Sequence, residues 1–476
     1  MKKIIISLAV LILFSAIIYV FLLRPGENPE SRDPDSSRSR LEKLKSLPYL
    51  TWSSEVADRR LDRVTIYDRE RAYDGYNLYT DAEKYAYLID MEGRIIHRWE
   101  FPSEGNWEYA ELQDNGDILT YCEGESFARI DRNSNVLHLD SIPVHHDIAI
   151  VSDGTFWVPI SSPHLLYKSR LIQFDSMLHL SSEWKNLDEW SSFSSLEKLQ
   201  SHHEPFLLNV ESEISAISAA LKRFYCLRIR GISRKVYEID KWLRAIVGLD
   251  KFDYYHLNTV EILPETTLGL RDSRFAAGNL LICLRHVNMV LILNPESWEI
   301  LWSWGPGILD WPHMPTMLDN GNILIYDNGA HRTYSRILEI DPVENLIVWE
   351  YQADPPEKFY SKTRGSNQRL PNGNTLICES ERGRVFEITP SGEVVWEFYN
   401  PDIRDGRRRL IYRMMRISRE AADRWLKSKL SVNPVPSPCA RSGDLSREVL
   451  RRREVPPGPG QVAIFWRWYL IHDRKL

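Results

Sequence analysis

The sequence predicts an all-β fold built from one repeated four-strand unit, and three observations carry that prediction. A segment centred on an Asn-Gly step recurs: Thr316-Met-Leu-Asp-Asn-Gly-Asn-Ile-Leu-Ile-Tyr returns as Gln368-Arg-Leu-Pro-Asn-Gly-Asn-Thr-Leu-Ile-Cys. Each copy is followed by the same two extended segments. These are Ile337-Leu-Glu-Ile-Asp-Pro and Ile347-Val-Trp-Glu-Tyr in one, Val385-Phe-Glu-Ile-Thr-Pro and Val394-Val-Trp-Glu-Phe in the other. Trp302, Trp349 and Trp396 stand 47 residues apart. Asn-Gly steps between alternating apolar residues are hairpin turns, because both central positions tolerate positive φ. Four short strands at a period in the forties predict a β-propeller blade.

Fainter copies lie upstream. Leu112-Gln-Asp-Asn-Gly-Asp-Ile-Leu and Val151-Ser-Asp-Gly-Thr-Phe-Trp match the turn element. Tyr87-Leu-Ile-Asp with His97-Arg-Trp-Glu-Phe, and Leu171-Ile-Gln-Phe-Asp with Glu183-Trp184, match the rest. Blade ends near Trp99, His138, Trp184, Trp302, Trp349 and Trp396 predict six blades over 47–415. The N-terminal strands are expected to close the ring on the last repeat, and the tryptophans to fill the layers between blades. From about 186 to 250 the Asn-Gly steps stop, and Leu207, Ile214, Ile217, Ala220, Leu221 and Phe224 fall on a helical stripe. This predicts a helical insertion.

The ends differ from the middle. Ile4–Leu23 is an apolar run of 20 residues behind Lys2 and Lys3, long enough to span a bilayer as a helix. It predicts a transmembrane helix acting as a membrane anchor, the alternative being a signal cut after Phe14-Ser15-Ala16. The two lysines keep the N-terminus cytoplasmic and send the rest outside, to a periplasmic or extracellular location. Residues 24–46 read as a disordered tether, and 416–476, rich in Pro and Arg, as a partly disordered C-terminal extension.

Composition narrows the function. Sixty basic against 66 acidic side chains give a net charge of −6, which does not suit nucleic acid. Five cysteines at 122, 226, 283, 378 and 439 form neither a CxxC pair nor a disulfide framework. No GxxxxGK[ST] loop for nucleotide phosphates is present. No cofactor and no metal is expected.

Candidate chemistry sits where strands enter the centre of a propeller. His145-His146-Asp147, Tyr255-His256-Leu257-Asn258 and Trp311-Pro312-His313 each precede the hairpin element of their blade, and Arg285 lies one strand beyond His256. A lone histidine there is ordinarily a structural hydrogen-bonder. Recurrence at one repeat position in three blades raises a shared site. Three histidines with Asp147 also match a metal-ligand set, but Arg285 would repel a cation.

Gly93-Arg-Ile-Ile-His-Arg-Trp, His145-His-Asp, His256-Leu-Asn with Arg285, Pro312-His313 leading into Asn320-Gly-Asn-Ile-Leu-Ile-Tyr-Asp-Asn-Gly329, and Leu370-Pro-Asn-Gly-Asn-Thr-Leu-Ile together resemble the bacterial arylsulfotransferase family over about residues 64–415. The resemblance implies an extracytoplasmic six-bladed propeller that moves a sulfuryl group from an aryl sulfate to a phenol without a nucleotide donor. It implies His313 as the transiently sulfated nucleophile, with His146 (or His145), His256 and Arg285 around the sulfuryl group. Asn258 and Tyr255 join His145 as substrate-binding candidates. A non-catalytic, membrane-tethered binding scaffold is the alternative.

Overall fold

The computed structural model describes residues 51–192 and 251–428, apart from 104, 162–164, 168–169 and 174. The apolar run 4–23, the tether and most of the expected insertion and C-terminal extension lie outside the described residues. Among the described residues no helix is long and apolar enough to cross a membrane.

Six antiparallel sheets, each built on four strands, form the ring, and two three-stranded sheets lie beside them in the described chain. The second holds Tyr109–Leu112, Ile118–Cys122, Ser126–Ile130 and Val136–Asp140. The third holds Ala149–Ile150, Phe156–Ser161, Asp175–Leu180 and Asn186–Ser191, and the fourth Leu257–Ile262, Leu280–Leu284, Met289–Leu293 and Ile300–Trp304. Pro312–Met317, Ile323–Asp327, Arg336–Asp341 and Leu346–Tyr351 form the fifth. Ser366–Arg369, Thr375–Glu379, Arg384–Ile388 and Val394–Tyr399 form the sixth, with Arg63–Tyr67 added at its outer edge. The first sheet is closed from the far end of the chain: Met414–Ile417 pairs inside Tyr76–Thr80, followed by Tyr85–Ile89 and Ile95–Glu100. The ring is therefore fastened twice, by an early strand on the last sheet and by a late strand in the first.

Six apolar clusters, one per interface, hold these sheets together in a cycle. Leu78 and Trp99 of the first sheet meet Ala110 and Ile118 of the second, and Leu119 and Phe127 meet Phe156 and Val158 of the third. Met177 and Trp190 pack on Val260 and Ile282, and Cys283 and Trp302 on Ile323 and Leu338. Leu324 and Ile337 pack on Ile377 and Phe386, and Val385 and Trp396 return to Tyr79 and Ile89. The architecture is propeller-like, with the first strands of the sheets around a hub.

The tryptophans do more than fill volume. The indole N–H of Trp99 donates to the carbonyl of Gly116, that of Trp302 to Pro342, that of Trp349 to Pro390 and that of Trp396 to Met91. In each case the acceptor is a turn of the next sheet, so the bond from Trp396 crosses the seam between last and first. Burying such a side chain is worth about 2–3 kcal/mol, and the bond satisfies its one polar atom.

The turns differ in detail from the expected ones. Gly116, Gly154, Gly321 and Gly373 have φ of +84 to +87°, while the residues before them do not. Each glycine N–H bonds the carbonyl three residues back, as in Gly321 to Leu318 and Gly373 to Leu370. These are three-residue loops ending in a left-handed bulge residue, so only glycine needs positive φ. Gly116 is held twice over, since a Cβ there would lie 2.6 Å from the Trp425 ring.

Two expectations are corrected. Residues 186–191 form the outer strand of the third sheet rather than the start of a helical insertion; residues 193–250 lie outside the described residues. Trp184 sits in the turn before that strand, at φ +66°, where Gly93 and Gly392 stand in the first and sixth sheets. Trp190 takes the strand position, and Trp184 stacks on His138 of the second sheet at 4.2 Å. The propeller boundary drawn at 415 falls inside the closing strand, which leads into the helix Arg419–Ser428. Ser418 caps that helix through its Oγ on the Ala421 N–H.

Candidate active site

Pairing between Leu257 and Leu284 fixes the centre of the site. It continues past the strand ends, where the Arg285 N–H reaches the His256 carbonyl at 3.1 Å and the His286 N–H reaches Tyr255 at 3.0 Å. A 3-10 turn over Arg285–Val287 therefore stands directly beside His256. Arg285 is buried, with its guanidinium 4.6 Å over the Trp311 ring and its Nη2 2.8 Å from His286 Nε2. That contact makes His286 Nε2 an acceptor, and its Nδ1–H donates to the Asp253 carbonyl at 2.6 Å.

His256 lies 4.7 Å from His146, centroid to centroid, and 4.9 Å from His286. Its Nδ1 meets Asp253 Oδ2 in a very short hydrogen bond, and its backbone N–H donates to Asp253 Oδ1 at 3.1 Å. His256 Nε2 and Arg285 Nε are buried without a protein partner. His146 is held from the closing segment: the Tyr412 hydroxyl donates to the His146 carbonyl at 3.1 Å, so its oxygen is the acceptor for His146 Nδ1–H at 3.0 Å. Beside it, Arg413 Nη1 bonds Asp147 Oδ1 at 2.7 Å in a fully buried pair, and Asp147 Oδ2 takes the Val260 N–H.

His313 opens the fifth sheet at a bulge, with Trp311 and Met314 on either side at positive φ. His146 and His256 also have positive φ, at +63° and +55°. Side chains with a Cβ are strained in that region, and such strain gathers where geometry is imposed for function. His313 Nδ1 bonds Asn328 Oδ1 at 2.7 Å and the Trp311 carbonyl at 3.2 Å. The Asn328 amide cannot turn round, because its Nδ2 donates to the Ser361 and Arg364 carbonyls. The proton therefore sits on Nδ1, and the lone pair of His313 is on Nε2.

Burial dominates the electrostatics. It pushes His313 down to about 3, with Arg285 the next cause, and His286 to about 4. His146 and His256 are also pushed well below the ordinary histidine range, by burial first and then by His256 and Arg285 respectively. Burial lowers Arg285 as well, to about 10, so it keeps its charge at neutral pH. His145 is the exception: burial works against its charge, but Asp175, 3.5 Å from Nε2, outweighs it and raises the pKa.

The structure thus brings His145, His146, His256 and Arg285 together, and connects His313 to Arg285 through Trp311. Tyr255 is fully buried in the apolar cluster between the third and fourth sheets, against Tyr254. Asn258 donates to the Pro312 carbonyl at 2.8 Å, which fixes the entry of the strand bearing His313. Sequence reasoning missed Asp253, Asn328, Tyr412 and Arg413. The carboxylate three residues before His256 was there to be noticed, as was Asn328 in Asp327-Asn-Gly329. Tyr412 and Arg413 arrive only through ring closure and carry no local signal.

A metal is another use for such a cluster, since Asp253, His256 and His286 place ligand atoms within 4.8 Å of one another. Asp253 Oδ2 already takes the His256 Nδ1–H, and His286 Nε2 accepts from the charged Arg285 guanidinium, which stands where a cation would be repelled. This donor set fits an anion better than a cation.

Fold and hub define a β-propeller protein with a buried histidine–arginine centre. Residues 242–401, a stretch that contains His256, Arg285 and His313, match the arylsulfotransferase (ASST) family model. That match supports sulfuryl transfer in general. No curated protein matches the chain. Among solved structures, a protein of unknown function from Bacteroides caccae is 15% identical with a TM-score of 0.43, over 72% of this chain and 98% of its own. A streptogramin B lyase is 10% identical with a TM-score of 0.39, over 74% and 87%. The Cps50 (Swd1) β-propeller domain of Myceliophteria thermophila is 9% identical with a TM-score of 0.38, over 76% and 99%.

Proposed function

We propose that this protein transfers a sulfuryl group from an aryl sulfate to a phenolic acceptor, in ping-pong order, through a sulfohistidine on His313. One observation carries the reading: His313 is locked as the Nδ1–H tautomer by an amide that cannot flip, in surroundings that keep it neutral. A neutral imidazole with a directed Nε2 lone pair is a competent nucleophile. In the first half-reaction a bond forms between Nε2 and sulfur while the sulfur–phenolate oxygen bond breaks. In the second, an acceptor phenol oxygen attacks the same sulfur and His313 is released. Arg285, charged and buried, answers the negative charge on the sulfuryl oxygens, and in a site of low dielectric that contribution is large. A flanking imidazole gives the departing phenolate its proton and later takes one from the acceptor. The paired lysines and the apolar run 4–23 support an anchored protein whose propeller is extracytoplasmic.

The test is a burst assay with a chromogenic aryl sulfate and no acceptor. One equivalent of phenol, with a sulfuryl adduct on the peptide containing His313, is the expected result. Folded protein that gives no burst with several donors would favour the binding scaffold instead.

A further inference from the structure

We propose that Asp253 selects His256, and not His146, as the proton carrier of the transfer; this rests on the sulfuryl-transfer reading above. Three imidazoles at the hub present the same arrangement, Nδ1–H anchored to protein and Nε2 directed away from the anchor. Their anchors are of three different kinds. His313 is held by the amide oxygen of Asn328, His146 by the phenol oxygen of Tyr412, and His256 by the carboxylate of Asp253. An amide or a phenol orients an imidazole but adds no charge. A carboxylate at Nδ1 also stabilises the imidazolium, and so lets the ring hold a second proton.

The rest of the surroundings opposes that proton, which is why the anchor decides. Arg285, His286, His313 and His145 bear on His256, and His146 stands 4.7 Å away. Asp253 is the anion in hydrogen-bond contact with it. It grips the residue twice, by the ring and by the backbone N–H, and its own carbonyl takes the His286 Nδ1–H. His286 in turn accepts from Arg285 Nη2, so one aspartate aligns both the proton carrier and the cation. A second buried imidazole–carboxylate pair, His145 with Asp175, is looser at 3.5 Å, and Asp175 Oδ2 is committed to the Leu257 N–H. His256 Nε2 remains buried and unpartnered.

The proton accounting is closed. Binding of the sulfate ester, an anion, favours the protonated His256–Asp253 pair. As the sulfur–oxygen bond breaks, the proton on His256 Nε2 passes to the departing phenolate oxygen, leaving a neutral imidazole still bonded to Asp253. In the second half the acceptor phenol gives its proton to Nε2 as its oxygen attacks sulfur and the nitrogen–sulfur bond breaks. Asp253 is a positioning residue throughout and touches no reacting atom.

The test uses the full chain and a series of aryl sulfates, from nitrophenols to unsubstituted phenol, whose pKa is about 10. A leaving group that departs readily without a proton is indifferent to the carrier, and a poor one depends on it. Asp253→Asn is expected to slow the burst with phenyl sulfate by about 10²-fold, within the usual range for general acid–base catalysis, while nitrophenyl sulfate slows only a few-fold. Tyr412→Phe is expected to slow every donor by the same factor. Equal losses across the series for Asp253→Asn would overturn the proposal, as would a steeper dependence on the leaving group in Tyr412→Phe. If Asp253→Asn does not fold, His256→Gln gives the same discriminating series. A wild-type protein without a burst or an adduct at His313 would sink the transfer reading itself, whereas failure of the Asp253 assignment leaves the wild-type burst intact.

Discussion

The rim of the propeller and its hub are built on opposite plans. At the rim one device repeats: an indole N–H of an outer strand reaches a turn carbonyl of the next sheet, at Trp99, Trp302, Trp349 and Trp396. At the hub no device repeats. His146, His256 and His313 enter at comparable places, yet a phenol, a carboxylate and an amide hold them. Four of the six interfaces share that contact, as suits a ring built from one repeated unit. Divergent contacts are what a reaction needs, because identical imidazoles must be given separate tasks.

That contrast can be broken by mutation, starting with the largest effect. His313→Asn should abolish transfer, by roughly 10⁴-fold or more, while the protein remains folded by circular dichroism. A substantial residual burst would show that the hub does not divide its tasks as described. Trp396→Ala should do the reverse. It opens a cavity at the seam and removes the bond to Met91, so urea unfolding should show a loss of about 3–5 kcal/mol. Turnover per folded molecule should be unchanged, and a parallel loss of both would mean that rim and hub are not separable.

Smaller effects sharpen the comparison. Tyr412→Phe removes one hydroxyl bonded to His146 and should cost about 1 kcal/mol of stability but roughly tenfold in turnover. The pH dependence of stability should carry two opposite signs. His313 and His286, held at about 3 and about 4 against an ordinary 6.5, stay neutral in the folded protein while the unfolded chain takes up protons. Stability should therefore fall as pH drops from about 6.5 towards 4. Glu261, whose carboxyl accepts the Met317 N–H, has the opposite sign, since burial raises it to about 8. Its ionisation costs stability as pH rises from the ordinary carboxylate range through 8, and Glu261→Gln should flatten that alkaline decline in melting temperature.

The same contrast explains what was legible beforehand. Repeats at the rim are written locally, in Asn-Gly turns and Trp strands, so the regular sheets from Thr316 to Phe398 could be read directly. The third sheet was misread because Trp184 occupies a turn position that glycine holds elsewhere, with Trp190 taking the strand. His146, His256 and His313 could be singled out because they recur at one repeat position, and Arg285 because it lies one strand beyond His256. Tyr412 was not, since 266 residues separate it from the histidine it holds. Asn258 and Tyr255 show the limit of position alone: both lie beside the site, and one orients a strand while the other fills a core.

The strand Met414–Ile417 has a consequence for the order of events in the making of the molecule. Synthesis runs from the N-terminus, so Tyr76–Thr80 leaves the ribosome without the neighbour it will bond on its inner edge. For more than three hundred residues of translation that edge has no native partner. Tyr412 and Arg413, which belong to the same late segment, reach His146 and Asp147 only when the strand is laid down. A nascent chain cut short before that segment would lack the closing strand and the contacts to His146 and Asp147 alike.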